Sequence, residues 1–445
     1  MRKYFIIIIA LSAVILTGCE TSGSSSTPSS VAKLLAFSLK NDSMPGLAKA
    51  VFTVEERLDT GLVWNQDSIQ YGTRLDSVIP KFTFAATPGA AILYMPDTTV
   101  RLTGYDTLDF TVKPIYLAVR SADQSTTKVY EIRPTVHSMD PDLYTWEQLT
   151  PGIYPPNDSE QRVVETGGLF TMIVSNGFTL HAYSSSDGAS WIDLGQPTGL
   201  PAGTKVRQII SDGHTLYYGQ EQNIYTSTDG ITWEAHAVSF PVRTMLLYWN
   251  EHVWALVEDP DGYELATYEG DDLVLSGLEP YGEFPVSDFA TVTFQNASGR
   301  QRAMIIGGFA ENGRSLNTRW NLERVHFMDG SKEEYRMEEF TIDRPSFTSL
   351  TGISVIWYNK QLLLFGGVNE EMSYFGRDIL ISTDEGISWT KADTAKNRLP
   401  EVYYARQKQT AIVRNNTIYL FGGQDNTTTY SDAYKGRLNS IDWLN

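Results

Sequence analysis

Cysteine is almost absent from this chain of 445 residues: Cys19 is the only one, and it lies near the start. The body of the chain therefore has no disulfide framework and no cysteine-based metal site, and its own core must hold it together. Histidine is scarce as well, with six residues that show no H-x-x-x-H or similar metal spacing. We therefore expect no metal and no other cofactor.

A basic block is also missing. The formal net charge is −18 at pH 7, and no run of lysine or arginine interrupts the acidity. A protein that binds nucleic acid must neutralise phosphates, so nucleic acid is excluded as a partner. Because 42% of the residues are hydrophobic, the chain is expected to fold into packed globular domains.

The N-terminus has the pattern of an export signal. Basic residues Arg2 and Lys3 precede an apolar run over residues 4–16, which is too short to span a bilayer comfortably. The run ends in LTGC, which resembles the bacterial lipoprotein box, and this resemblance implies that Cys19 is acylated and becomes the first mature residue. Residues 1–19 are then the signal peptide, and residues 20–30, ETSGSSSTPSS, are a flexible tether. Position 20 is glutamate rather than the aspartate that retains some lipoproteins at the inner membrane, which favours the outer membrane of a Gram-negative envelope.

Residues 31–137 contain short strand-like runs separated by turn signals. Examples are LLAFSLK, AVFTVEE and KVYEIRPTV. Closely spaced strands without helical periodicity predict a β-sandwich of immunoglobulin-like architecture. The clearest hairpin covers residues 115–136, with its turn at 122–125. Residues 138–156 are rich in proline and are predicted to be a linker.

Residues 157–445 repeat one pattern, an apolar run, a polar turn and a second apolar run. Clear copies are TMIVSNGFTLHAY, RQIISDGHTLYYG, TMLLYWNEHVWAL, VIWYNKQLLLFGG and AIVRNNTIYLFGG. Strands repeating at this spacing without helices predict a β-propeller of about six blades. The blades are expected at about residues 157–196, 203–238, 240–280, 284–343, 346–394 and 402–445. The segment YTWEQL, residues 144–149, resembles a lone fourth strand that completes the last blade and closes the ring.

Three turns carry a second repeated pattern, SSDGASW, STDGITW and STDEGISW. They resemble the Asp-box of sialidase-like and other propellers. In such a turn the carboxylate and hydroxyl bond to backbone groups, glycine supplies the required dihedral angle, and tryptophan covers the turn. A structural role, rather than a catalytic or metal-binding one, is therefore expected for the aspartates and tryptophans of all three turns, which are Asp187, Trp191, Asp229, Trp233, Asp384 and Trp389.

Glycine pairs at residues 307–308, 366–367 and 422–423 end second strands and resemble the Kelch repeat. No helix follows them and no P-loop lysine is present, so we interpret them as sites of close backbone packing rather than phosphate binding. Kelch-type copper radical oxidases use a cysteine crosslinked to tyrosine. Cys19 is committed to the lipid anchor, which excludes that chemistry.

Candidate binding residues come from a long polar insertion, NGRSLNTRWNLER, in the fourth blade. Long loops on rigid scaffolds often bind ligands, so Trp320, Arg319 and Asn317 are candidates for stacking on a sugar ring. The alternative is that Trp320 folds onto its own blade. Arg377 and Arg406 are further candidates, because they could join Arg319 at one mouth of the propeller.

A carbohydrate-active enzyme is the competing hypothesis. A sialidase needs an arginine triad, a Tyr/Glu pair and a general acid, and its early Arg-Ile-Pro signature is missing here; the nearest match, at residues 344–345, comes late. A glycosidase needs two carboxyl groups set across a cleft. The acidic stretches at 258–261 and 333–334 are more typical of solvated loops. No catalytic residue is therefore predicted.

The lipoprotein box, the sandwich and the mixed Asp-box and Kelch-like repeats together resemble a family of Bacteroidetes-type lipoproteins known only as domains of unknown function. The resemblance covers the whole chain but implies no activity. The sequence therefore predicts a membrane-anchored, non-catalytic binding protein that presents a propeller face to a glycan or a protein.

Overall fold

A computed structural model describes residues 27–104, 106–149, 160–325, 334–341, 350–371, 373–374 and 376–439. The predicted signal peptide, Cys19 and residues 20–26 of the tether lie outside the described residues. The chain divides into two compact units, Met1–Asp140 and Pro141–Asn445. The predicted all-β fold is confirmed. Its named helical elements are two short 3-10 helices, at Pro45–Lys49 and Val206–Gln208.

The N-terminal unit is built of two sheets, one antiparallel and one mixed. Its strands are β1 (Leu34–Lys40), β2 (Phe52–Glu55), β3 (Thr60–Asn65), β4 (Ile79–Phe84), β5 (Ala90–Met95), β6 (Thr98–Arg101), β7 (Tyr116–Arg120) and β8 (Thr127–Arg133). One sheet has the order β2-β3-β8-β7-β5-β6, in which β3 and β8 are parallel, and β1 pairs with β4 in the other. Alternate residues of β1 point inward, and Leu34, Phe37 and Leu39 pack with Val63 and Leu117 in one core. The two sheets thus share their hydrophobic faces.

The C-terminal unit repeats antiparallel strands throughout. Its strands are β9 (Tyr144–Gln148), β10 (Glu160–Thr166), β11 (Leu169–Ser175), β12 (Leu180–Ser185), β13 (Ile192–Gly195), β14 (Ile210–Ser211), β15 (Leu216–Ser227), β16 (Glu234–Trp249), β17 (His252–Asp259), β18 (Gly262–Glu269), β19 (Asp272–Leu278), β20 (Ala290–Gln295), β21 (Gln301–Ile306), β22 (Thr318–Val325), β23 (Glu334–Thr341), β24 (Leu350–Thr351), β25 (Ser354–Tyr358), β26 (Gln361–Phe365), β27 (Val368–Asn369), β28 (Leu380–Ser382), β29 (Thr390–Lys391), β30 (Thr410–Arg414), β31 (Thr417–Phe421) and β32 (Ala433–Leu438).

The described part of this unit contains six blades. Blade 1 is β10–β13, blade 4 is β20–β23, blade 5 is β24–β29, and blade 6 is β30–β32 with β9. Blades 2 and 3 share the long strand β16: residues 234–237 pair with β15 in blade 2, and residues 242–249 pair with β17 in blade 3. The two blades therefore form one continuous hydrogen-bonded sheet of six strands rather than two separate ones.

Apolar side chains join each blade to the next. Six clusters of buried residues each combine two neighbouring blades, and the cluster between blades 6 and 1 closes the circle. In that last cluster the rings of Phe170 and Phe421 lie 5.3 Å apart. A blade cannot bury both faces alone, so the closed circle of contacts supplies the core of the propeller.

Strand β9 completes blade 6 from the other end of the unit. It pairs with β32 in antiparallel register, with Tyr144 opposite Leu438 and Gln148 opposite Tyr434. One face of the strand packs against blade 5: Tyr144 is buried, and the ring of Trp146 lies edge-on to Phe365 at 6.1 Å. The ring is thus closed by hydrogen bonds as well as by apolar contacts.

The glycine pairs are points where one blade touches the next. At Gly307 the chain has φ of +64°, and a Cβ atom there would lie 2.3 Å from the carbonyl oxygen of Leu350 in blade 5. At Gly366 a Cβ atom would lie 2.6 Å from the carbonyl oxygen of Arg406 in blade 6. No side chain fits at either position, so these glycines permit the close approach of neighbouring blades.

Candidate ligand site in the central channel

The first Asp-box turn holds its aspartate by hydrogen bonds. Oδ1 of Asp187 accepts from the backbone N–H groups of Ala189 and Ser190, each at 2.8 Å, and from the hydroxyl of Ser185 at 3.0 Å. The N–H groups of Ser190 and then Ala189 lower the pKa of Asp187 against the effect of burial. The indole of Trp191 donates to the carbonyl of Gly188 at 3.2 Å. The carboxylate is engaged within its own turn.

The second turn repeats this arrangement. Asp229 accepts from the N–H groups of Ile231 and Thr232 at 2.8 Å, and Trp233 is buried with its indole donating to Gly230. The carboxylate of Asp229 is therefore also engaged within its own turn.

The third turn carries one extra residue, Glu385, which has φ of +57°. Asp384 still accepts from the hydroxyl of Ser382 at 2.8 Å and from the N–H of Ser388 at 2.9 Å, and Trp389 is buried. The inserted residue presents its carbonyl oxygen to Nη1 of Arg319 in blade 4, at 2.9 Å. The third turn therefore also connects two blades.

Asp187→Ala is expected to lower the free energy of unfolding by about 1 kcal/mol at pH 7, because N–H groups at an exposed site lose a charged acceptor. Since the folded pKa is depressed, the carboxylate stabilises the fold above about pH 4, and this contribution is lost as the pH falls through the folded pKa. Calorimetry should show the difference between wild type and variant shrinking below pH 4. Asp187→Asn keeps an oxygen acceptor and should retain most of the stability at pH 7. If Asp187→Ala were less stable than wild type by the same amount at pH 3 and at pH 7, this account would be contradicted.

Trp320 was a candidate for stacking on a sugar, with folding onto its own blade as the alternative, and the structure places it in the interior. Trp320 lies in strand β22, where it pairs with Ile305 and Glu339, and it is fully buried between blades 3 and 4. Arg319 is also buried, and Asn317 lies just before the strand and is half-buried. The exposed part of the polar insertion ends at Arg314. Polar residues alternate with Trp320 and Leu322 in β22, so the sequence resembles a polar loop, although the neighbouring blade supplies apolar partners for both.

Arg319, Arg377 and Arg406 do not line the central channel. Arg319 is held by Glu385, and burial lowers its pKa to about 10. Arg377 is half-buried and accepts the N–H of Leu399 on its carbonyl. Arg406 is fully buried within blade 6, where it forms an ion pair with Asp432. The expectation that these arginines meet at one mouth is corrected accordingly.

A central channel of about 780 Å³ is lined by all six blades. Its wall consists of the first strand of each blade and the residues just before it, namely Glu160 and Arg162–Glu165, residues from Lys205 to Gly213, Met245–Tyr248, Ser287–Thr293, Ile353–Trp357 and Thr410–Val413. The volume is in the range of pockets that enclose small-molecule ligands. The channel therefore is the candidate functional site.

A network of charged side chains crosses one end of this channel, and we call it the charged mouth; it comprises Glu160, Arg207, Asp288 and Lys408. Arg207 of blade 2 donates to Oδ1 of Asp288 at 3.2 Å and to the carbonyl of Lys408 at 2.5 Å. The ammonium of Lys408 lies 2.8 Å from Glu160 and 3.6 Å from Asp288. The carbonyl of Asp288 accepts from Gly352, whose own carbonyl accepts from the N–H of Lys408. Blades 1, 2, 4, 5 and 6 are thus tied together across this end.

The other end of the channel is less crowded. The blades repeat by rotation, so their first strands run the same way, and the later residues of each strand gather here. Tyr248 is 37% exposed, and Trp357 stacks on Phe294 with ring centroids 4.8 Å apart. Glu165 pairs with Arg414 at 3.3 Å. This end offers aromatic surface and polar groups to a ligand.

Arg162 lies on the wall just inside the charged mouth. Its Nε donates to the carbonyl of Ile209 at 3.3 Å. Burial, and then the nearby charge of Arg207, lower the pKa of Arg162 to about 10. Sequence reasoning missed Arg162 and all four residues of the charged mouth. A signal exists: in QRVVE, RQIIS, DFATV and KQTAIV a charged residue stands at or near the start of the apolar first strand.

Every carboxylate of the described channel wall is engaged by another group, and Glu160 and Asp288 share Lys408. Within the charged mouth, Glu160 and Asp288 pair with Lys408 and Arg207. Glu165 pairs with Arg414. Asp212 accepts from the hydroxyl of Tyr217 at 2.9 Å and from two backbone N–H groups. Among the described wall residues we find no arginine triad, and the neighbouring carboxylates of Glu160 and Asp288 are neutralised by Lys408 and Arg207.

One close carboxyl pair lies elsewhere, in blade 4 and the segment before it. The pKa of Glu339 is raised by burial and then by the charge of Glu283, while Glu283 is engaged by Arg314 and Asn312. Neither carboxyl lines the channel. In the ranges that the structure covers, no group of three or more His, Cys, Asp or Glu side chains could hold a metal ion. Those same ranges contain no helix long and apolar enough to cross a membrane.

Family models match both units. The DUF6242 beta propeller domain matches residues 140–445, and the N-terminal domain of DUF6242, a domain of unknown function, matches residues 27–133. The chain belongs to the DUF6242 family. The predicted membership of a family of unknown function is therefore confirmed, with the propeller in its C-terminal part.

One solved structure is remotely similar to this DUF6242 chain. A solved structure titled "Structure of YjhT" is 12% identical, with a TM-score of 0.45, and the match covers 64% of this chain and 95% of that one. This level of similarity transfers no property to the DUF6242 chain. A search of curated proteins finds no match.

Proposed function

We propose that this protein is a non-catalytic binding lipoprotein that takes a saccharide-sized ligand into the central channel of its propeller. The observation that carries the proposal is the channel itself, about 780 Å³ in volume and walled by all six blades. Ligand pockets are typically preformed cavities of this size with a few polar groups placed on an otherwise apolar wall. Acylated Cys19, followed by the tether of residues 20–30, holds the propeller at the outer membrane.

The composition of the wall supports a polar ligand. Thr291 and Thr293 contribute hydroxyl groups, Tyr248 and Trp357 contribute aromatic rings, and the first strands are inner edges whose backbone groups face the channel. Aromatic rings combined with hydroxyl and backbone hydrogen-bonding groups suit a sugar. A protein ligand would instead insert a loop into the same channel.

A carbohydrate-active enzyme is less well supported. Hydrolysis of a glycosidic bond needs two carboxyl groups on opposite sides of the bond. The wall carboxylates are all engaged by other groups, Glu160 and Asp288 being bridged by Lys408, and the Glu283–Glu339 pair lies outside the channel. We therefore favour binding over catalysis.

Thr293→Trp is expected to weaken glycan binding by at least about tenfold, because an indole at this exposed wall position fills part of the channel. Gln295→Trp is the matched control, since Gln295 is also exposed on strand β20 but does not line the channel. The measurement is binding of the purified full-length chain to a glycan array, followed by calorimetric titration of the best ligand. If both substitutions weaken glycan binding equally, or if neither weakens it, the ligand binds outside the channel. Binding to no glycan would favour a protein ligand.

A further inference from the structure

We infer that Arg162 is the anion receptor of the channel, and that its guanidinium binds an oxyanion, above all a carboxylate, carried by the ligand. The inference rests on the proposed function and adds to it the chemical class of the ligand, an acidic rather than a neutral saccharide. The geometry of the guanidinium and the pairing of the surrounding charges lead to it.

Arg162 differs from other arginines in the interior of the propeller, whether partly or fully buried, in how its donors are used. A guanidinium has five N–H donors. Arg406 directs its donors to Asp432 and to the carbonyls of Tyr404 and Gly422, and Arg207 directs its donors to Asp288 and Lys408. Among the described residues, Arg162 donates a hydrogen bond only through Nε, to the carbonyl of Ile209 at 3.3 Å, and no carboxylate pairs with it. Its remaining donors are available to the channel that it lines.

The acids of the wall do not pair with Arg162, because they are already engaged. Asp212 accepts from two backbone N–H groups and from the hydroxyl of Tyr217. Glu160 and Asp288 are bound by Lys408 and Arg207 within the charged mouth. Glu165 pairs with Arg414 at the other end. The wall therefore keeps a cation without a counter-charge beside a second cation, Arg207, and Lys205 adds an exposed ammonium to the same region.

Burial, and then repulsion by the neighbouring cation Arg207, depress the pKa of Arg162, so a charged guanidinium at this position costs free energy. Replacing Arg162 by an apolar residue of similar length should therefore stabilise the protein without ligand. Residues that oppose stability in this way are typical of binding sites, where the ligand supplies what the fold lacks. An oxyanion between Arg162 and Arg207 would remove the repulsion.

The flat fork of a guanidinium matches the two oxygens of a carboxylate, and sulfate and phosphate esters offer the same pattern of acceptors. The ring of an acidic sugar would then extend from Arg162 along the channel towards Tyr248 and Trp357. The class that fits is a saccharide with a carboxylate, sulfate or phosphate group.

The experiment compares D-glucuronate with its neutral counterpart D-glucose, and adds inorganic sulfate, at constant ionic strength. Calorimetric titration and thermal unfolding are measured on the purified full-length chain, on Arg162→Met, on Arg162→Lys and on Arg300→Met. Arg300 is exposed in the loop after β20, so Arg300→Met removes the same charge from outside the channel. Wild type and Arg300→Met should bind glucuronate and sulfate in preference to glucose. Arg162→Met should weaken both anions by at least about 30-fold, and Arg162→Lys should weaken them less.

The unfolding temperature separates loss of the receptor from loss of the fold. Arg162→Met should unfold at the wild-type temperature or above it. Unchanged anion binding by Arg162→Met, or glucose bound as tightly as glucuronate, overturns the inference. Neutral sugars bound in a manner sensitive to Thr293→Trp would leave the proposed function standing and the anion receptor refuted. Sulfate binding that depends on Arg162, without binding of any saccharide, would keep the receptor and refute the saccharide ligand. Binding of neither anion nor sugar refutes both.

Discussion

Arg406→Met is expected to lower the free energy of unfolding of the propeller by about 3–5 kcal/mol. Arg406 is fully buried, and its guanidinium pairs with Asp432 while lying between the rings of Tyr403 and Tyr430, at 4.4 and 3.9 Å from their centroids. It also donates to the carbonyl of Gly422 at 3.0 Å. Methionine fills similar space but leaves a largely buried carboxylate and a buried carbonyl without their donor.

The measurement is the calorimetric transition of the propeller in the full-length chain. Adding Asp432→Asn to Arg406→Met removes the orphaned charge and should restore part of the loss. Arg300→Met, an exposed change of the same kind, should alter the stability by less than about 0.5 kcal/mol. If Arg406→Met left the transition unchanged but reduced ligand binding, Arg406 would act as the binding residue that the sequence suggested.

Cys19→Ser is expected to release essentially the whole population of the protein from the membrane fraction. Serine cannot form the thioether that carries the lipid, and each buried methylene of an acyl chain contributes about 0.8 kcal/mol to membrane attachment. Detergent phase partitioning and metabolic labelling with a radioactive fatty acid measure the effect directly. The labelled band should disappear, and the protein should move to the aqueous phase.

Glu20→Gln is the matched control for this experiment, because it changes the next residue and leaves the acyl acceptor intact. It should remain labelled and membrane-bound. Retention of Cys19→Ser in membranes washed with carbonate would show that another segment anchors the chain and that the lipoprotein box is coincidental.

Much of the propeller was predictable because its hairpins depend on local backbone chemistry. The turns at Asn359-Lys360 and Asn415-Asn416 have positive φ at both residues, which asparagine tolerates better than most. The segment YTWEQL matched no complete repeat, which indicated a strand that belongs to another blade, and it pairs with β32. Local sequence did not reveal that blades 2 and 3 share β16, because no turn residue is needed where a strand simply continues.

The candidate site was not predictable in the same way. The four residues of the charged mouth are far apart in sequence and meet only because each lies at or just before the first strand of a blade in a closed ring; they are Glu160, Arg207, Asp288 and Lys408. The burial of Trp320 was not predictable for a related reason: the residues around it in sequence are polar, while Phe284 and Tyr281, which contact its ring, come from an earlier segment. Residues that meet around the central channel can be identified only from the tertiary structure.

Strand β9 is the first strand of the propeller in the chain and β32 is the last named one, and the two pair in blade 6. A nascent polypeptide consequently carries an unfinished circle until Ala433–Leu438 has been synthesised. Assembly of the final blade is a late event with large sequence separation, and such contacts form slowly. Chains that stop early cannot survive as smaller propellers, since they lack the partner for their first strand, and proteases are expected to degrade them.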